Sequence, residues 1–409
     1  MGKSPGPFVP RPATGRARPL FGQLKPRCSV SQKNKNLDAV TDCPNQSSGS
    51  LLQLNTISLV QFRNYDQSRF DFDNKIVCIT GKNGVGKTNL LDAIYYLCFA
   101  KSYFYNQETL NIRYDRDGFR LEGTLDKGSK TESVCCTYRR GKKEVLLNGT
   151  PYTRFSRHLG RFPAVIVTPD DAVVVSGGSE QRRRYLDTLM TQIDTAYLDD
   201  VITYQKLLQQ RNGLLKSQQA GKSPDEALLG VFDTQLAGPG QRIYDKRKDF
   251  IPSLIEKVRE YYALIAGIPE SIDIVYRSSL EHTSLEELLA VNRRQDLYLQ
   301  RTSEGVHRDE LVFTLEGRPL KQVASQGQRK NFLFALKLAQ YQTLSISKGF
   351  SPLLLLDDIF EKLDTERISR LIAVISATGF GQVFITDTEE KRLLKTFSGS
   401  AGQVQLIRL

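Results

Sequence analysis

The stretch KIVCITGKNGVGKTNLLDAIYYLCFA, residues 75–100, decides the fold of this chain. Residues 75–80 are an apolar run typical of a buried strand, and residues 89–100 carry apolar side chains at helical spacing. The loop between them matches the pattern G-x-x-x-x-G-K-[ST]. It consists of Gly81, Lys82, Asn83, Gly84, Val85, Gly86, Lys87 and Thr88. A strand, a glycine loop and a helix in this order predict an α/β fold with a phosphate-binding loop.

The residue types of the loop indicate its chemistry. Glycines let backbone N–H groups curl around phosphates, and the helix N-terminus that follows adds affinity for anions. In such a loop the lysine, here Lys87, places a charge on the β- and γ-phosphates, and the hydroxyl of Thr88 ligates Mg²⁺. We therefore expect ATP and Mg²⁺ to bind here.

A second apolar run, LLLL at residues 353–356, ends in two carboxylates. The leucines are typical of a buried parallel strand, and open α/β sheets bind ligands at the carboxyl ends of their strands. We expect Asp357 to hold Mg²⁺ through water and Asp358 to polarise the attacking water. Ordinary acids at a strand end are the alternative interpretation.

A third motif lies upstream of these acids and consists of Ser325, Gln326, Gly327 and Gln328. A Ser-x-Gly-Gln turn that begins a helix is another candidate anion-binding site. The tetrapeptide alone also fits a simple helix cap. Its position before the Asp-Asp strand favours the signature motif of the ABC class of ATPases, which contacts the γ-phosphate held by the other subunit.

The remaining pattern predicts further strands at residues 54–62, 164–167, 272–276, 311–315 and 382–386. Residues 182–266 are helical in pattern, with breaks expected at 221–224 and at Gly238-Pro239-Gly240. The sequence thus predicts an ATPase head in two halves, residues 51–181 and 271–409. A helical lobe, residues 182–270, is inserted between them.

Composition restricts the class of protein. The chain has 409 residues, of which 40% are hydrophobic and 25% charged, which excludes collagen-like and wholly disordered chains. Half of its net charge of +12 lies in residues 1–50. We expect this proline-rich, basic extension to be disordered, with an organellar transit peptide as the alternative. The positive balance permits a polyanionic partner.

Cysteine spacing and hydropathy argue against a metal-binding or membrane protein. No pair of the six cysteines has the spacing of zinc ligands, and Cys78 and Cys98 fit buried apolar positions. No apolar run approaches the 18 or so residues of a membrane span. We therefore expect a cytoplasmic protein with no membrane association.

Several stretches together resemble one family, the RecF ATPases of recombinational repair, which are related to SMC proteins. The resemblance covers about residues 51–409 and is closest to the Bacteroidetes-like forms. It rests on residues 62–65, 81–94, 168–171, 181–187, 305–309, 325–329, 355–358, 363–364 and 384–388.

The resemblance implies an ABC-type head with an inserted helical lobe and an ATP-dependent homodimer on DNA. RecF-like proteins recognise gapped DNA at junctions of single- and double-stranded DNA, and with RecR, and through it RecO, they help to load RecA. The resemblance also implies that Asp364 belongs to the D-loop and that Arg63 and Asn64 lie near the nucleotide. Asp387 stands where many ABC ATPases have a switch histidine, which implies slow hydrolysis.

Two other classes share parts of this pattern. The ATP-binding motor of an ABC transporter is the main alternative, but the long stretch between Lys87 and Ser325 leaves room for an inserted lobe that compact transporter motors lack. A P-loop kinase is the second alternative, and because a kinase needs no signature motif, the motif at residues 325–328 argues against it. Basic clusters at residues 182–184 and 246–248 fit either phosphate contacts or solvated helix faces, and His307 fits either the nucleotide site or the core.

Overall fold

The computed structural model describes residue 2 and residues 51–217, 225–362, 365–376, 380–397 and 404–409. The strands are β1 (Leu52–Phe62), β2 (Tyr65–Asp71), β3 (Ile76–Thr80), β4 (Gly118–Lys127), β5 (Lys130–Arg139), β6 (Lys142–Leu147), β7 (Thr150–Pro151), β8 (Ala164–Val167), β9 (Ile272–Arg277), β10 (Glu310–Leu315), β11 (Arg318–Pro319), β12 (Leu353–Leu356), β13 (Val383–Asp387) and β14 (Val404–Arg408). The α-helices are α1 (Lys87–Phe99), α2 (Ala172–Ser176), α3 (Ser179–Ile193), α4 (Thr195–Lys216), α5 (Glu226–Ala266), α6 (Leu285–Val291), α7 (Arg293–Leu299), α8 (Leu320–Val323), α9 (Gln326–Lys348), α10 (Thr365–Ser376) and α11 (Glu390–Thr396). Apart from residue 2, the extension predicted for residues 1–50 lies outside the described residues.

Five strands form a parallel sheet in the order β14-β3-β13-β12-β8. Strands β3, β8, β12 and β13 are buried along their whole length, as their apolar sequences predict. The register aligns their carboxyl ends, with Asp387 opposite Thr80 and Leu356 opposite Val167. The loops after β3, β8, β12 and β13 therefore leave the sheet at one edge.

Each face of this sheet has its own hydrophobic core, because successive side chains of a strand point to opposite faces. In β3, Val77 and Ile79 join the core that contains α1, whereas Ile76 and Cys78 join the core that contains α3, α5 and α9. The strand before the glycine loop is therefore fixed from both sides.

A six-stranded antiparallel sheet, in the order β2-β1-β4-β5-β6-β7, covers helix α1. The helix packs against β1, β4 and β5 on this side and against β8 and β13 of the parallel sheet on the other. Eleven residues of α1 are buried, from Lys87 to Phe99. Burial on two sides holds the N-terminus of the helix, and so the glycine loop, in place.

The helical region predicted at residues 182–266 consists of α3, α4 and α5. Helix α4 packs on α3 and α5, and α3 and α5 pack on α9. The break predicted at Gly238-Pro239-Gly240 is wrong, since α5 continues through Pro239 and Pro252. A proline in a helix costs about 3 kcal/mol, and packing of α5 against α4, α6 and α9 outweighs that cost. Gly240 also has a packing role, because a Cβ there would lie 2.2 Å from Leu285 Cδ2. The turn predicted at 221–224 lies outside the described residues.

The second half of the chain returns to the same parallel sheet. Strands β9, β10 and β11 form a small antiparallel sheet beside α5, and α9 leads into β12. The strands predicted at residues 164–167 and 353–356 are confirmed at these bounds. Strand β14 and helices α6 and α7 are additions that the sequence pattern did not indicate. The predicted α/β class is confirmed.

Candidate nucleotide-binding site

The glycine loop joins β3 to α1 at the carboxyl edge of the parallel sheet. Gly81, Gly84 and Gly86 have φ values of 157°, 81° and 119°, a backbone region that favours glycine. At Gly86 a Cβ would also lie 2.5 Å from Asn64 Nδ2. The loop therefore has the left-handed turns and the close backbone approach that a phosphate cradle requires.

Lys87, the first residue of α1, is buried and folds back over this loop. Its Nζ donates to the carbonyl oxygens of Gly81 at 3.0 Å and Lys82 at 3.3 Å. Among the residues that the structure describes, no carboxylate forms an ion pair with Lys87. The ammonium is thus held inside the loop with its charge available to an anionic ligand.

Helix α1 and strands β12 and β13 bring side chains together beside the loop, at the carboxylate of Asp357. Thr88 Oγ1 donates to its two oxygens at 2.9 and 3.0 Å, and Thr386 Oγ1 donates to Oδ1 at 2.8 Å. Burial, opposed by these hydrogen bonds, raises the pKa of Asp357 to about 6. The neighbouring Asp358 raises this pKa further, and Lys87 lowers it.

Asp358 follows in a left-handed backbone conformation, with φ of 43°. Its backbone N–H donates to Thr386 Oγ1 at 2.9 Å, which fixes the turn after β12. Aspartate tolerates this conformation better than most residues, and such backbone strain clusters at functional sites. Thr386 therefore holds both acids, although the sequence analysis gave it no role. A hydroxyl at the end of a buried strand was the signal available.

Asn64 and Arg63, both predicted near the nucleotide, each form a hydrogen bond with Asn89 of α1. Asn64 Nδ2 donates to Val85 O at 2.8 Å, so this side chain supports the loop directly. The Arg63 guanidinium is buried, pairs with Asp92 and donates to Asn89 Oδ1 at 2.8 Å. Arg63 thus braces helix α1 in this structure, and its contact with a nucleotide stays a prediction.

The motif at residues 325–328 begins helix α9. Ser325 Oγ accepts from the Gln328 backbone N–H at 3.2 Å, and Gln328 Oε1 accepts from the Ser325 N–H at 2.7 Å, which is a capping box. Ser325 and Gln326 are exposed, and Gln328 Nε2 also donates to Glu270 Oε1 at 2.6 Å. Within the described residues, no hydrogen bond or ion pair joins this motif to the glycine loop. Asp364 lies outside the described residues.

Asp387, at the position compared with a switch histidine, is buried and paired. Arg392 Nη2 and Nε lie 2.6 and 2.8 Å from its carboxylate oxygens. The Asp387 carboxylate is therefore held by an arginine of α11 at this edge of the sheet.

One arginine of each basic cluster is buried and paired with carboxylates, so neither cluster is a solvated face as a whole, and phosphate contacts by their other residues stay a prediction. Arg182 pairs with Glu310 at 2.6 Å, and the buried Arg247 pairs with Asp187 and Asp309 at 2.8 and 2.9 Å. Hydropathy pattern alone cannot show these distant carboxylates.

His307 is a core histidine. Its ring nitrogens contact Tyr204 OH at 2.8 Å and Thr302 O at 3.2 Å. Burial lowers the pKa of His307 to about 4, so the ring is neutral at physiological pH. Of the two roles left open by the sequence, the structure supports the one in the core.

Comparison with known proteins decides the family. Residues 53–401 match the RecF/RecN/SMC N terminal domain family. The DNA replication and repair protein RecF of Flavobacterium johnsoniae is 42% identical over 342 residues, 83% of this chain and 95% of that protein. RecF of Parabacteroides distasonis is 43% identical over 341 residues, 83% of this chain and 92% of that protein. The chain belongs to the RecF family.

A solved structure of the recombination mediator protein RecF with ATP, in the RecFOR pathway, has the same fold. Its TM-score is 0.77 at 28% identity, over 85% of this chain and 94% of that one. The predicted RecF resemblance, its Bacteroidetes-like character and the SMC-related ATPase head are confirmed. Family membership favours this assignment over the transporter motor and the kinase. In the described part of the chain, no helix is long and apolar enough to cross a membrane.

Proposed function

We propose that this protein is a cytoplasmic, ATP-dependent DNA-binding switch that acts in recombinational repair and at replication forks. It forms an ATP-dependent homodimer on gapped DNA, contacts single- and double-stranded DNA, and helps to load RecA with RecR and, through RecR, RecO. One observation carries the proposal. Lys87, Thr88 and Asp357 meet at one edge of the sheet, while Ser325 and Gln326 are exposed and, in the part of the chain that the structure describes, the motif at 325–328 has no hydrogen bond or ion pair with them.

The site is suited to a triphosphate with Mg²⁺. The Thr88 hydroxyl and the Asp357 carboxylate are the oxygen donors that Mg²⁺ prefers, and the metal typically binds through one or two such groups together with the phosphates. A Mg²⁺ ion held by these two residues would neutralise part of the charge of the phosphates.

The chain's own residues bind the nucleotide and position the reacting water. The backbone N–H groups of residues 81–88 and the Lys87 ammonium bind the phosphates, and Asp358 polarises the attacking water. Asp387 stands where many ABC ATPases have a switch histidine and pairs with Arg392, so hydrolysis is slow and serves as a switch.

The second half of each site comes from another subunit. One chain carries one glycine loop and one signature, so a two-fold dimer brings each loop to the partner's signature and builds two equal sites. Residues Ser325, Gln326, Gly327, Gln328 and Asp364 then complete the site across the interface. The head halves, residues 51–181 and 271–409, bind ATP, and the lobe at 182–270 and the basic extension at 1–50 serve DNA and partner contacts.

Complementation between two inactive variants tests the shared site. Lys87→Ala and Ser325→Arg chains are each expected to be inactive alone. Random mixing gives about half mixed dimers, each with one intact site of two, so roughly a quarter of the ATPase activity returns. An Asp358→Asn chain mixed with Lys87→Ala is the matched control for simple mixing, because both defects lie on the loop side of the site and little activity returns.

The contradicting outcome combines two results. If mixing restores no activity and the wild-type chain also stays monomeric with ATP and DNA, the sites lie within single chains and the proposal is wrong.

A further inference from the structure

A second cavity lies at the outer edge of strand β8, the last strand of the parallel sheet. It has a volume of about 210 Å³, and its lining includes neither the glycine loop nor the two acids after β12. Side chains close this edge of the sheet. Lys337 Nζ donates to Ile166 O at 2.8 Å, and Gln192 Oε1 accepts from Ala164 N at 3.3 Å.

Aromatic rings form one wall of this cavity. Tyr95 and Phe99 stack with centroids 4.0 Å apart, and Tyr103 meets Tyr95 edge-on at 5.1 Å. Phe104 continues the wall, 5.4 Å from Tyr103. Ring faces of this kind bind nucleobases by stacking, with little preference among bases.

The lining of the cavity also carries an unsatisfied acceptor. Gln340 is 4% exposed, lines the cavity, and its Oε1 has no hydrogen-bond partner among the described residues. Lys337, on the same face of α9, is in contrast fully engaged, with Asp171 at 3.0 Å as well as Ile166 O. A buried amide oxygen without a donor is unfavourable, so the position suits a ligand that supplies an N–H group.

The rim of the cavity carries cationic charge. Arg182 and Arg183 donate to Glu310 and to Asp309 O, but Arg184 is exposed, and within the described part of the chain it has no hydrogen bond or ion pair. Arg184 lies near Lys101. The pKa of Lys101 is lowered mainly by burial and, to a smaller extent, by the positive charge of Arg184. Asp170, also exposed, is the one acid on this rim without a partner among the described residues.

We propose that this cavity binds one nucleotide unit, with its base against the aromatic wall, its N–H group donated to Gln340 Oε1 and its phosphate beside Arg184. The volume is below the roughly 300–1,000 Å³ of sites for drug-sized ligands, which limits the occupant to one ring. The source is either a nucleotide of single-stranded DNA or a mononucleotide in solution. The DNA source rests on the proposed function.

The test measures binding of a fluorescein-labelled oligothymidylate by anisotropy, with ATP at one fixed concentration that just saturates the glycine loop, so that free mononucleotide competing for the cavity is kept to a minimum. Gln340→Met removes the acceptor at nearly constant volume, and Arg184→Ala removes the rim charge. Each variant is expected to weaken binding about 3- to 10-fold. Lys142→Ala removes an exposed cation on β6 outside this cavity, and its affinity should stay within about 2-fold of wild type.

Two further measurements separate a binding role from a structural one. Gln340→Met should unfold at the same or a higher temperature than wild type, because it removes an unsatisfied buried group. With an abasic oligonucleotide, wild type and Gln340→Met should bind equally, since no base meets the acceptor. Asp170→Asn should tighten binding, because it removes a negative charge from the rim.

The competitor thymidine monophosphate distinguishes the two sources. If it displaces the oligonucleotide and its affinity falls in the same variants, the cavity accepts mononucleotides; if only the oligonucleotide is sensitive, the source is DNA. Wild-type affinity in both Gln340→Met and Arg184→Ala, for both probes, would overturn the proposal. Failure of the proposed DNA-binding function is a different result, in which the wild-type chain itself binds no oligonucleotide.

Discussion

Buried charges have opposite surroundings in two regions of this molecule. In the helical region, Arg211 is fully buried, and its guanidinium lies 2.6 Å from Asp233 and 2.7 Å from Asp296. At the edge of the parallel sheet, Asp357 is also buried, but its carboxylate meets two hydroxyl groups and a second acid. Lys87, nearby, meets two backbone carbonyls.

The comparison distinguishes the charge of Arg211, which stabilises the fold, from the charges of Asp357 and Lys87, which are suited to binding a ligand. A buried charge next to its opposite is costly to break and does not need anything from outside. Asp357 has hydroxyl groups as hydrogen-bond donors, and Lys87 has carbonyl groups as acceptors. Both buried charges would be stabilised further when a metal and a phosphate bind. The sheet edge therefore loses stability in exchange for binding, and the helical region does not.

The largest expected effect is on folding, in the helical region. Arg211→Ala leaves Asp233 and Asp296 buried without this partner, and we expect the free energy of unfolding to fall by about 3–5 kcal/mol. Urea denaturation measures this change. Arg242→Ala breaks a pair of similar length with Asp200 in which the arginine is 56% exposed, and it should cost less than about 1 kcal/mol. Equal losses in both variants would contradict the distinction between the two kinds of ion pair.

The next effect is on ligand binding, at the sheet edge. Lys87→Ala removes the positive charge inside the loop, and we expect ATP affinity to fall at least about 100-fold while the free energy of unfolding changes by less than about 1 kcal/mol. Titration with ATP and urea denaturation check the two parts. Near-normal ATP affinity would show that the loop is not the nucleotide site.

Asp357→Asn should sharpen the comparison by moving stability and binding in opposite directions. The folded pKa of about 6 lies above the ordinary 3.8, so the ionised acid destabilises the folded state at neutral pH. We expect the variant to be more stable than wild type by about 2–3 kcal/mol at pH 7.5, and to lose Mg²⁺-dependent ATP affinity.

The difference in stability between Asp357→Asn and wild type should depend on pH, because the pKa of Asp357 is raised in the folded state. Between the two pKa values the folded state binds more protons than the unfolded state, so wild-type stability decreases as pH rises through this window. The advantage of Asp357→Asn should therefore vanish below about pH 4 and reach its full size above about pH 6. Denaturation at several pH values measures it, and a constant difference would rule out this origin.

The smallest effect on binding and stability is expected for Asp358→Asn. Asparagine tolerates the left-handed backbone found here, so the free energy of unfolding should change by less than about 0.5 kcal/mol and ATP affinity by less than about 3-fold. Hydrolysis should nevertheless fall, because the water loses its polarising group, and dimers on DNA should accumulate. A variant that stays monomeric at saturating ATP would contradict the role given to Asp358.

Local patterns were enough to predict the parts of the site that lie on strong elements. The apolar run before Gly81 and the run before Asp357 specify buried parallel strands, and such strands bring their carboxyl ends to one edge. Thr386 was missed because its contact with Asp357 depends on strand order, which a single sequence does not display.

Other features were mispredicted because tertiary contacts override local preference. Proline and glycine at residues 238–240 indicate a break, yet packing on three other helices keeps α5 continuous. The runs of arginine and lysine gave the same difficulty. The runs that contain Arg182 and Arg247 have the composition of a solvated helix face. Only the fold shows that these two arginines are buried and paired with carboxylates.

The most direct test of the account is the mass of the wild-type protein in solution, measured by light scattering with and without ATP, Mg²⁺ and gapped DNA. Each chain holds the loop half of a site at the sheet edge and an exposed signature at the start of α9. The account predicts a monomer without nucleotide and a dimer when ATP, Mg²⁺ and gapped DNA are all present. A wild-type protein that hydrolyses ATP as a monomer under these conditions would contradict it.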